Sequence, residues 1–483
     1  MTTRRLVTLL AVLAIFAMAL RVSLDSDTWW HLAAGRWMIE HGSLLREDPF
    51  SFTRSGSPWH YPGWLAQLLL YVVYRAAGAG GLNVLTAAVV TSAFIFVYRA
   101  TRGDAFVRSF IVLLAAIASA VYWSARPQIL SLLLAAIFAW VLEEYRSHGR
   151  NRLWLLPPLT ALWVNLHGGF AIGFIFIVLT MVGVGVEGLL TAGAERRRAW
   201  RSTAILAGVG LACAAAVGLN PFGYEMLAYP FKTVGIGALQ AYIQEWQSPD
   251  FHTREAQPFL WLLFLSLAAI GFSRRRLAAA DFILFTGVAY IGFLAGRNMP
   301  LLAIVAPPII ARHAQEILER LAPSWGKGDP NRAGLARMRW LNVVVLMLGF
   351  VAVAAKAAPV LDPQLNQQQV ARTEPVGAMD YLRTHPALGR MLNSYNWGGY
   401  LIWALPEYPV FVDGRTDLYD DDLLAQYLAA VRAEPTWRDV LEQWQIGVVL
   451  LEPDAPLVTL LRQQGWQTAA ADELSVILIP PAA

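Results

Sequence analysis

Apolar segments of about 20 residues recur from the N-terminus to residue 359, and this recurrence limits the fold more than any other feature. A run of that length spans the hydrocarbon of a bilayer as a helix. Backbone polar groups have no water partner there, so each run must satisfy its own hydrogen bonds. About eleven spans are expected: Leu6–Leu20, then segments near 82–98, 106–122, 128–143, 153–166, 170–190, 202–219, 257–272, 281–295, 299–311 and 340–357. Only 15% of the chain is charged, against about a quarter in soluble domains, which agrees with a polytopic α-helical membrane protein. Strands of a membrane barrel would alternate in polarity, and these runs do not.

The loops sort by charge into two sets. One carries Arg99 and Arg102, Arg146 to Arg152, Arg196-Arg197-Arg198 with Arg201, Arg274-Arg275-Arg276, and the 312–339 segment with Arg312, Arg320, Lys327, Arg332, Arg337 and Arg339. The positive-inside rule places these in the cytoplasm as basic tethers, with the N-terminus beside them. Ala17-Met18-Ala19 resembles a signal-peptide cleavage site, but the expectation is a retained first span. The other set holds Arg126-Pro127-Gln128, Asn165-Leu166-His167-Gly168-Gly169, Asn220 to Glu225, Glu245 to Asp250, and Gly296-Arg297-Asn298-Met299-Pro300. Polar groups at span ends tend to face a cavity and to act there. The distinctive motifs therefore fall on the extracytoplasmic side of a cytoplasmic (inner) membrane.

Residues 360–483 differ in kind. They hold seven arginines, no lysine and sixteen acids, a net charge of −9 that leaves +13 for the preceding residues. Two domains are expected: a membrane domain over 1–359, with its first outer loop at 23–63, and an extracytoplasmic α/β domain over 360–483. Strand-like runs Arg390–Ser394, Val410–Asp413, Gly447–Leu451 and Leu474–Ile479 interleave with helical ones, which predicts a mainly parallel sheet. The sheet's carboxyl ends would carry NSYNWGGY (393–400) and DGRTDLY (413–419). No basic patch interleaved with aromatics occurs, so a nucleic-acid partner is not expected. Cys213 is the single cysteine, which excludes an internal disulfide.

The first outer loop concentrates the chemistry. Asp25–Trp64 contains Asp25, Asp27, Glu40, Glu47, Asp48, His31, His41, His60 and five tryptophans: Trp29, Trp30, Trp37, Trp59 and Trp64. Group transfer to a hydroxyl needs a carboxylate to take a proton and a cation to hold an anionic leaving group. Asp27 is the favoured base and Asp25 its alternate. The structural reading of Asp27 is the N-cap of a helix over Thr28–His41, closed by Gly42 and without a capping box. Asp48 is either a turn former or a holder of acceptor or metal. His31 and His60 are candidate substrate contacts, with His31 facing away from Trp30 and Trp37. The tryptophans read as membrane-interface anchors in preference to sugar-stacking platforms. Arg297 and then Arg126 lead the candidates to clamp a phosphate, with Lys232 and Arg254 behind. His167 precedes Gly168-Gly169, where backbone can approach a ligand closely. No GxxxxGK[ST], GxSxG, HExxH or CxxC occurs, so nucleotide-driven transport, serine hydrolysis and thiolate zinc sites lack motifs.

An Asp-x-Asp in the first outer loop, an aromatic-rich helix after it and an H-x-P-like start to the next (Asp25-Ser26-Asp27 through His60-Tyr61-Pro62) together resemble the GT-C superfamily of polytopic glycosyltransferases. Protein mannosyltransferases and the lipid A aminoarabinose transferase belong to it. DSDTWWHLAAGRW, DPFSFT, SYNWGGYLIW and VFVDGRTDLY are similar to a bacterial subgroup known mostly as uncharacterised membrane proteins. The resemblance implies a polyprenyl-phosphate-sugar donor, inversion at the anomeric carbon, an outer-loop acid as base, and a glycan, lipid or protein acceptor outside the membrane. It implies no certain cofactor. A divalent cation on Asp25, Asp27 and Asp48 is the one metal site these acids would supply. Many superfamily members carry adjacent acids followed by tyrosine, whereas Ser26 separates the acids here and Trp29-Trp30 follow. Two other readings stand beside the transferase: an assembly or receptor protein binding through its tail, and a transporter of polyprenyl-linked substrates.

Overall fold

The computed structural model describes residues 1–237, 243–323, 332–385 and 389–481, with side chains omitted at 332–337. Lys327 lies outside the described residues, as do the side chains of Arg332 and Arg337. The chain is mainly helical and divides into two compact units: Met1–Arg21, Asn83–Pro230 and Ile243–Val360 form one, and Val22–Leu82, Phe231–Tyr242 and Leu361–Ala483 the other.

In the first unit, helices occupy all the expected apolar segments, beginning with α1 (Thr3–Ala19). Across the described chain, seven helices are long and apolar enough to cross a membrane: 64–100, 105–122, 128–148, 168–190, 193–217, 296–321 and 338–361. Three shorter apolar helices cover 153–166, 257–272 and 279–294. The side chain of Asn83 donates to the carbonyl of Val360 at 3.2 Å, tying the unit's second stretch to its last residue. The basic loops are more than tethers. Arg146 and Arg312 both pair with Glu143 and Asp281, while Arg102 and Arg150 grip opposite oxygens of the buried Glu144 at 2.9 and 3.1 Å. Buried charges persist only when paired and hydrogen-bonded, and here each carboxylate meets two guanidinium groups.

The second unit is built around helical segments on either side of the outer loop and a small sheet. α2 (Ser26–His41) ends at Gly42, whose φ of 63° supplies the left-handed turn that stops it. α3 starts at Trp64 and runs to Ala100 with a break at Gly78 (φ 60°, ψ −158°), a backbone state for which glycine is suited. The residues up to Leu82 belong to this unit and those from Asn83 to the first.

The sheet comprises β1 (Arg390–Asn393), β2 (Ile446–Leu451), β3 (Gln467–Ala471) and β4 (Val476–Ile479) in the order β1-β2-β4-β3. β1 and β2 pair in parallel; β2–β4 and β3–β4 are antiparallel, so the sheet is mixed and not mainly parallel. The physical reason is loop length. A link as short as 472–475 closes only an antiparallel hairpin, because a parallel crossover needs about a dozen residues or more. β2 shows the period of two expected of a strand covered on both faces: Val448 and Leu450 face one core, Val449 and Leu451 the other.

The first core contains α2 itself. Trp30, Ala33, Ala34, Met38 and Trp59 from the outer loop pack with Met379, Met391, Trp397, Leu401 and Val410 from the tail. Trp29, Trp30 and Trp59 are thus core residues, each at most 5% exposed, and not interface anchors. Burying side chains of this size contributes on the order of 2–3 kcal/mol each.

Val410–Asp413 is not a strand of the sheet, because the outer loop takes its hydrogen bonds. The amide of Phe52 donates to the carbonyl of Val410 and the amide of Val410 to that of Phe50, each at 3.1 Å. Thr53 Oγ1 donates to the Phe411 carbonyl at 2.6 Å, and the Asn393 side chain receives the amide of Phe411 and donates to the carbonyl of Val412.

A buried ion cluster fastens this junction. Arg415 donates Nε and Nη2 to the two oxygens of Asp413 at 2.8 and 2.7 Å, and Nη1 to Asp48 Oδ1 at 2.6 Å. Tyr419 donates to Asp413 Oδ2 at 2.7 Å, and the guanidinium lies between Phe50 and Trp59 at 5.1 and 5.0 Å from their ring centres. Burial would lower the Arg415 pKa, yet Asp413, then Tyr419 and Asp48, hold it well above the usual arginine value. Removing one partner of such a pair strands the other charge and costs about 3–5 kcal/mol. Asp48→Ala is therefore expected to lower the unfolding free energy of the outer-loop and tail unit by about that amount, read as protease resistance of the tail against denaturant. Unchanged resistance would contradict this packing.

Candidate active site

The expected site residues fall in both units, and each unit presents its own arrangement. Asp25, Asp27, Asp48, His31 and His60 lie in the second unit; Arg126, His167 and Arg297 lie in the first.

In the second unit the cap of α2 is Asp25, two residues before the expected one. Asp25 Oδ1 accepts the amides of Asp27 and Thr28 at 3.0 and 3.2 Å, and the amide of Asp25 donates to Thr28 Oγ1 at 3.1 Å. The capping box absent from an Asp27 start is present with Asp25 as the cap, with threonine in the reciprocal role. Asp27 sits inside the first turn, where the helix dipole favours a negative charge, and its Oδ1 accepts the indole N–H of Trp30 at 3.1 Å.

The tail is pressed against this turn. A Cβ on Gly414 would come within 2.0 Å of Asp27 Oδ1, and one on Gly399 within 2.5 Å of the Ser26 carbonyl oxygen. The glycines of WGGY and DGRTD are thus the positions at which the tail approaches the DSDTW turn. Both motifs stand out in the sequence, but their fit to each other does not.

Asp48 is committed elsewhere. Oδ1 accepts the amide of Phe50 and the Arg415 guanidinium, and Oδ2 accepts the amide and the hydroxyl of Ser51. A carboxylate offers about four lone-pair sites, and all are taken, which suits a structural anchor and leaves nothing for acceptor or metal. Among the described residues no group of three or more His, Cys, Asp or Glu side chains is placed to hold a metal ion. The acids read together as a cation site do not fit one, since Asp48 is already neutralised by Arg415.

His31 is buried beside Gln67, 3.5 Å from its amide nitrogen, and near the ring of Tyr61; it does not face away from the tryptophans. His60 is exposed. Glu374 had no signal in the sequence, yet it is buried against this turn, with Oε1 accepting the indole N–H of Trp29 at 3.1 Å.

In the first unit Arg126 and Arg297 converge on one acid. Arg126 Nη2 donates to Glu245 Oε2 at 3.1 Å, Arg297 Nη1 lies 3.7 Å from Oε1, and Arg297 stacks on Trp246 at 4.1 Å. Burial would raise the Glu245 pKa, but Arg126 and then Arg297 hold it below the usual carboxylate value. Glu245 was visible in its loop without a role; its function of bridging two distant arginines has no local sequence signature.

His167 belongs to the same neighbourhood. Burial, and then the charges of Arg297 and Arg126, press its pKa down to about 3, so it is neutral at physiological pH. Its Nδ1 accepts the amide of Gly169 at 3.0 Å and the hydroxyl of Ser131 at 2.8 Å, with Ser131 itself receiving the indole N–H of Trp163. Nε2 therefore carries the proton, and His167 is a neutral donor beside two arginines. Such a set can hold an oxyanion without supplying a proton to it.

No family model and no curated protein matches this sequence. Solved structures do. The archaeal oligosaccharyltransferase AglB from Archaeoglobus fulgidus, in complex with an inhibitory peptide and a dolichol-phosphate, matches with TM-score 0.54 and 13% identity, over 92% of this chain and 69% of its own. ArnT from Cupriavidus metallidurans, bound to undecaprenyl phosphate, matches with TM-score 0.51 and 15% identity over 98% and 97%. The arabinofuranosyltransferase AftD from Mycobacteria matches over all of this chain and 40% of its own, with TM-score 0.52 and 15% identity.

The glycine contacts give a direct test. Gly414→Ala forces Asp27 or the 413–415 backbone to move and is expected to cost about 1–3 kcal/mol by overpacking, measured as a lowered thermal midpoint. Wild-type stability would show that the tail does not press on Asp27. At these identities the likeness is one of fold, and this chain shares the overall fold of these solved structures.

Proposed function

We propose that the chain is an integral-membrane glycosyltransferase that moves a sugar from a polyprenyl-phosphate donor to an acceptor outside the cytoplasmic membrane. The observation that carries this reading is the pairing of Arg126 and Arg297 on Glu245 beside neutral His167. Two guanidinium groups and an N–H donor are the groups a lipid-linked phosphate requires, and a carboxylate already occupies them as an anion would. The fold supports the reading, because matching structures include proteins solved with dolichol-phosphate and with undecaprenyl phosphate.

In this reading the basic helix ends face the cytoplasm and residues 361–483 lie outside. Phosphate leaves as an anion held by Arg126 and Arg297, and His167 Nε2 donates to it. The acceptor hydroxyl loses its proton to an outer-loop carboxylate as its oxygen bonds to the anomeric carbon and the carbon–phosphate oxygen bond breaks. Attack opposite the leaving group inverts the anomeric centre. Asp27 is the proposed base, since Asp25 is engaged as the helix cap and Asp48 by Arg415. No nucleotide is required, because the phosphate ester already carries the activation.

The receptor reading loses its main support. WGGY and DGRTD are explained by close packing of the tail on its own outer loop, so their distinctiveness does not require an external ligand.

Asp27→Asn keeps the side-chain shape and the acceptor for Trp30 but removes the base. It is expected to lower sugar transfer from a radiolabelled polyprenyl-phosphate sugar in membranes by about 100-fold or more, at unchanged expression and thermal stability. Wild-type turnover by this variant would remove Asp27 from the mechanism.

A further inference from the structure

Glu374 is a buried acid of the second unit that neither the junction nor the proposed chemistry uses. It follows the helix Pro363–Val370 and is held by its backbone, the amide donating to the Val370 carbonyl at 2.8 Å. The residue is 4% exposed, and Oε1 takes the indole N–H of Trp29, the residue two after Asp27. Oε2 has no hydrogen-bond partner among the described residues, and no cation there pairs with this side chain. The groups facing it are Asp25 from the cap of α2, the Trp29 indole, and the phenol of Tyr400, which packs edge-on against Trp29 with ring centres 5.0 Å apart. Arg383 and Asp380 act on Tyr400.

A carboxylate in this position would be buried beside a second acid with a single donor and no countercharge. That is unfavourable, whereas a neutral carboxyl group is accommodated. We infer that Glu374 is a positioning residue for the catalytic turn: as a neutral acid it holds Trp29, and through it the Asp25–Asp27 turn, and its ionisation releases that turn. The inference rests on the proposed role of the turn for its functional consequence. Its physical content is a pH-dependent local opening.

Burial, and then the Asp25 charge, push the Glu374 pKa up to about 8, against the pull of Trp29. The closed state therefore binds a proton that the opened state, with an ordinary carboxyl group, gives up above about pH 4.5. The stabilisation is complete below that value, falls as pH rises, and is gone above about 8.

Hydrogen exchange of peptides spanning 22–41, measured by mass spectrometry on the full-length chain in detergent or nanodiscs and corrected for intrinsic rates, tests this. Between about pH 5.5 and 7.5 the wild-type opening constant should rise roughly tenfold per pH unit. Glu374→Gln keeps an acceptor for Trp29 without a titrating group and should show no such slope, with protection at least equal to wild type at about pH 7.5. A wild-type profile without the slope, or the same slope in Glu374→Gln, overturns the inference. Glu374→Ala should be poorly protected throughout; if it does not fold, the glutamine variant decides. In the transfer assay, Glu374→Gln should retain activity and extend it to higher pH. Absence of any transfer in wild type overturns the proposed function, while the exchange profiles still decide whether Glu374 holds the turn.

Discussion

The second unit depends on one interaction, the grip of Arg415 on Asp413 and Asp48. Residues 48 and 415 are distant in sequence, and their ion pair is wholly buried. A guanidinium in such a place is tolerable only because two carboxylates, a phenol and two aromatic faces surround it. Its geometry fixes the register at which Phe50–Thr53 lie along Val410–Phe411. Once that register is set, Gly414 meets Asp27 and Gly399 meets Ser26. The tail is thus a support for the outer loop, and the turn bearing Asp25 and Asp27 is packed on it.

Within the first unit a comparable economy of charge holds at both kinds of helix end. Glu143, Glu144 and Asp281 absorb the arginines of the basic loops. Glu245 does the same for Arg126 and Arg297, but with longer contacts and beside a histidine kept neutral. The first group has the character of structural cross-links. The second brings two guanidinium groups onto one carboxylate, the feature on which the proposed phosphate-binding role stands.

The helical segments were legible because a bilayer demands long apolar runs, and composition alone reveals those. Gly42 was readable as a helix stop for a similarly local reason. What could not be read was anything set by pairing at long range. The outer loop's tryptophans suggested membrane anchors, since a sequence cannot show that Trp30 and Trp59 pack on Trp397 and Val410. Val410–Asp413 had strand composition, yet its hydrogen bonds go to the loop and to Asn393. The cap was displaced to Asp25 because Thr28, not Glu or Gln, completes the box. Of the expected site residues, Arg126, His167 and Arg297 share a neighbourhood, whereas Asp48 serves the junction. Glu245 and Glu374 acquire their roles only in the fold, as lone acids whose partners lie in distant segments.

Whether the Arg126–Arg297 pair holds a lipid-linked phosphate is decided by binding of a polyprenyl phosphate to the purified chain, followed by native mass spectrometry. Wild type is expected to retain one lipid phosphate, and the Arg126→Ala/Arg297→Ala double variant, folded to the same extent, to release it. Equal retention by both, or no retention by wild type, would contradict the assignment of this pair of arginines as the phosphate site.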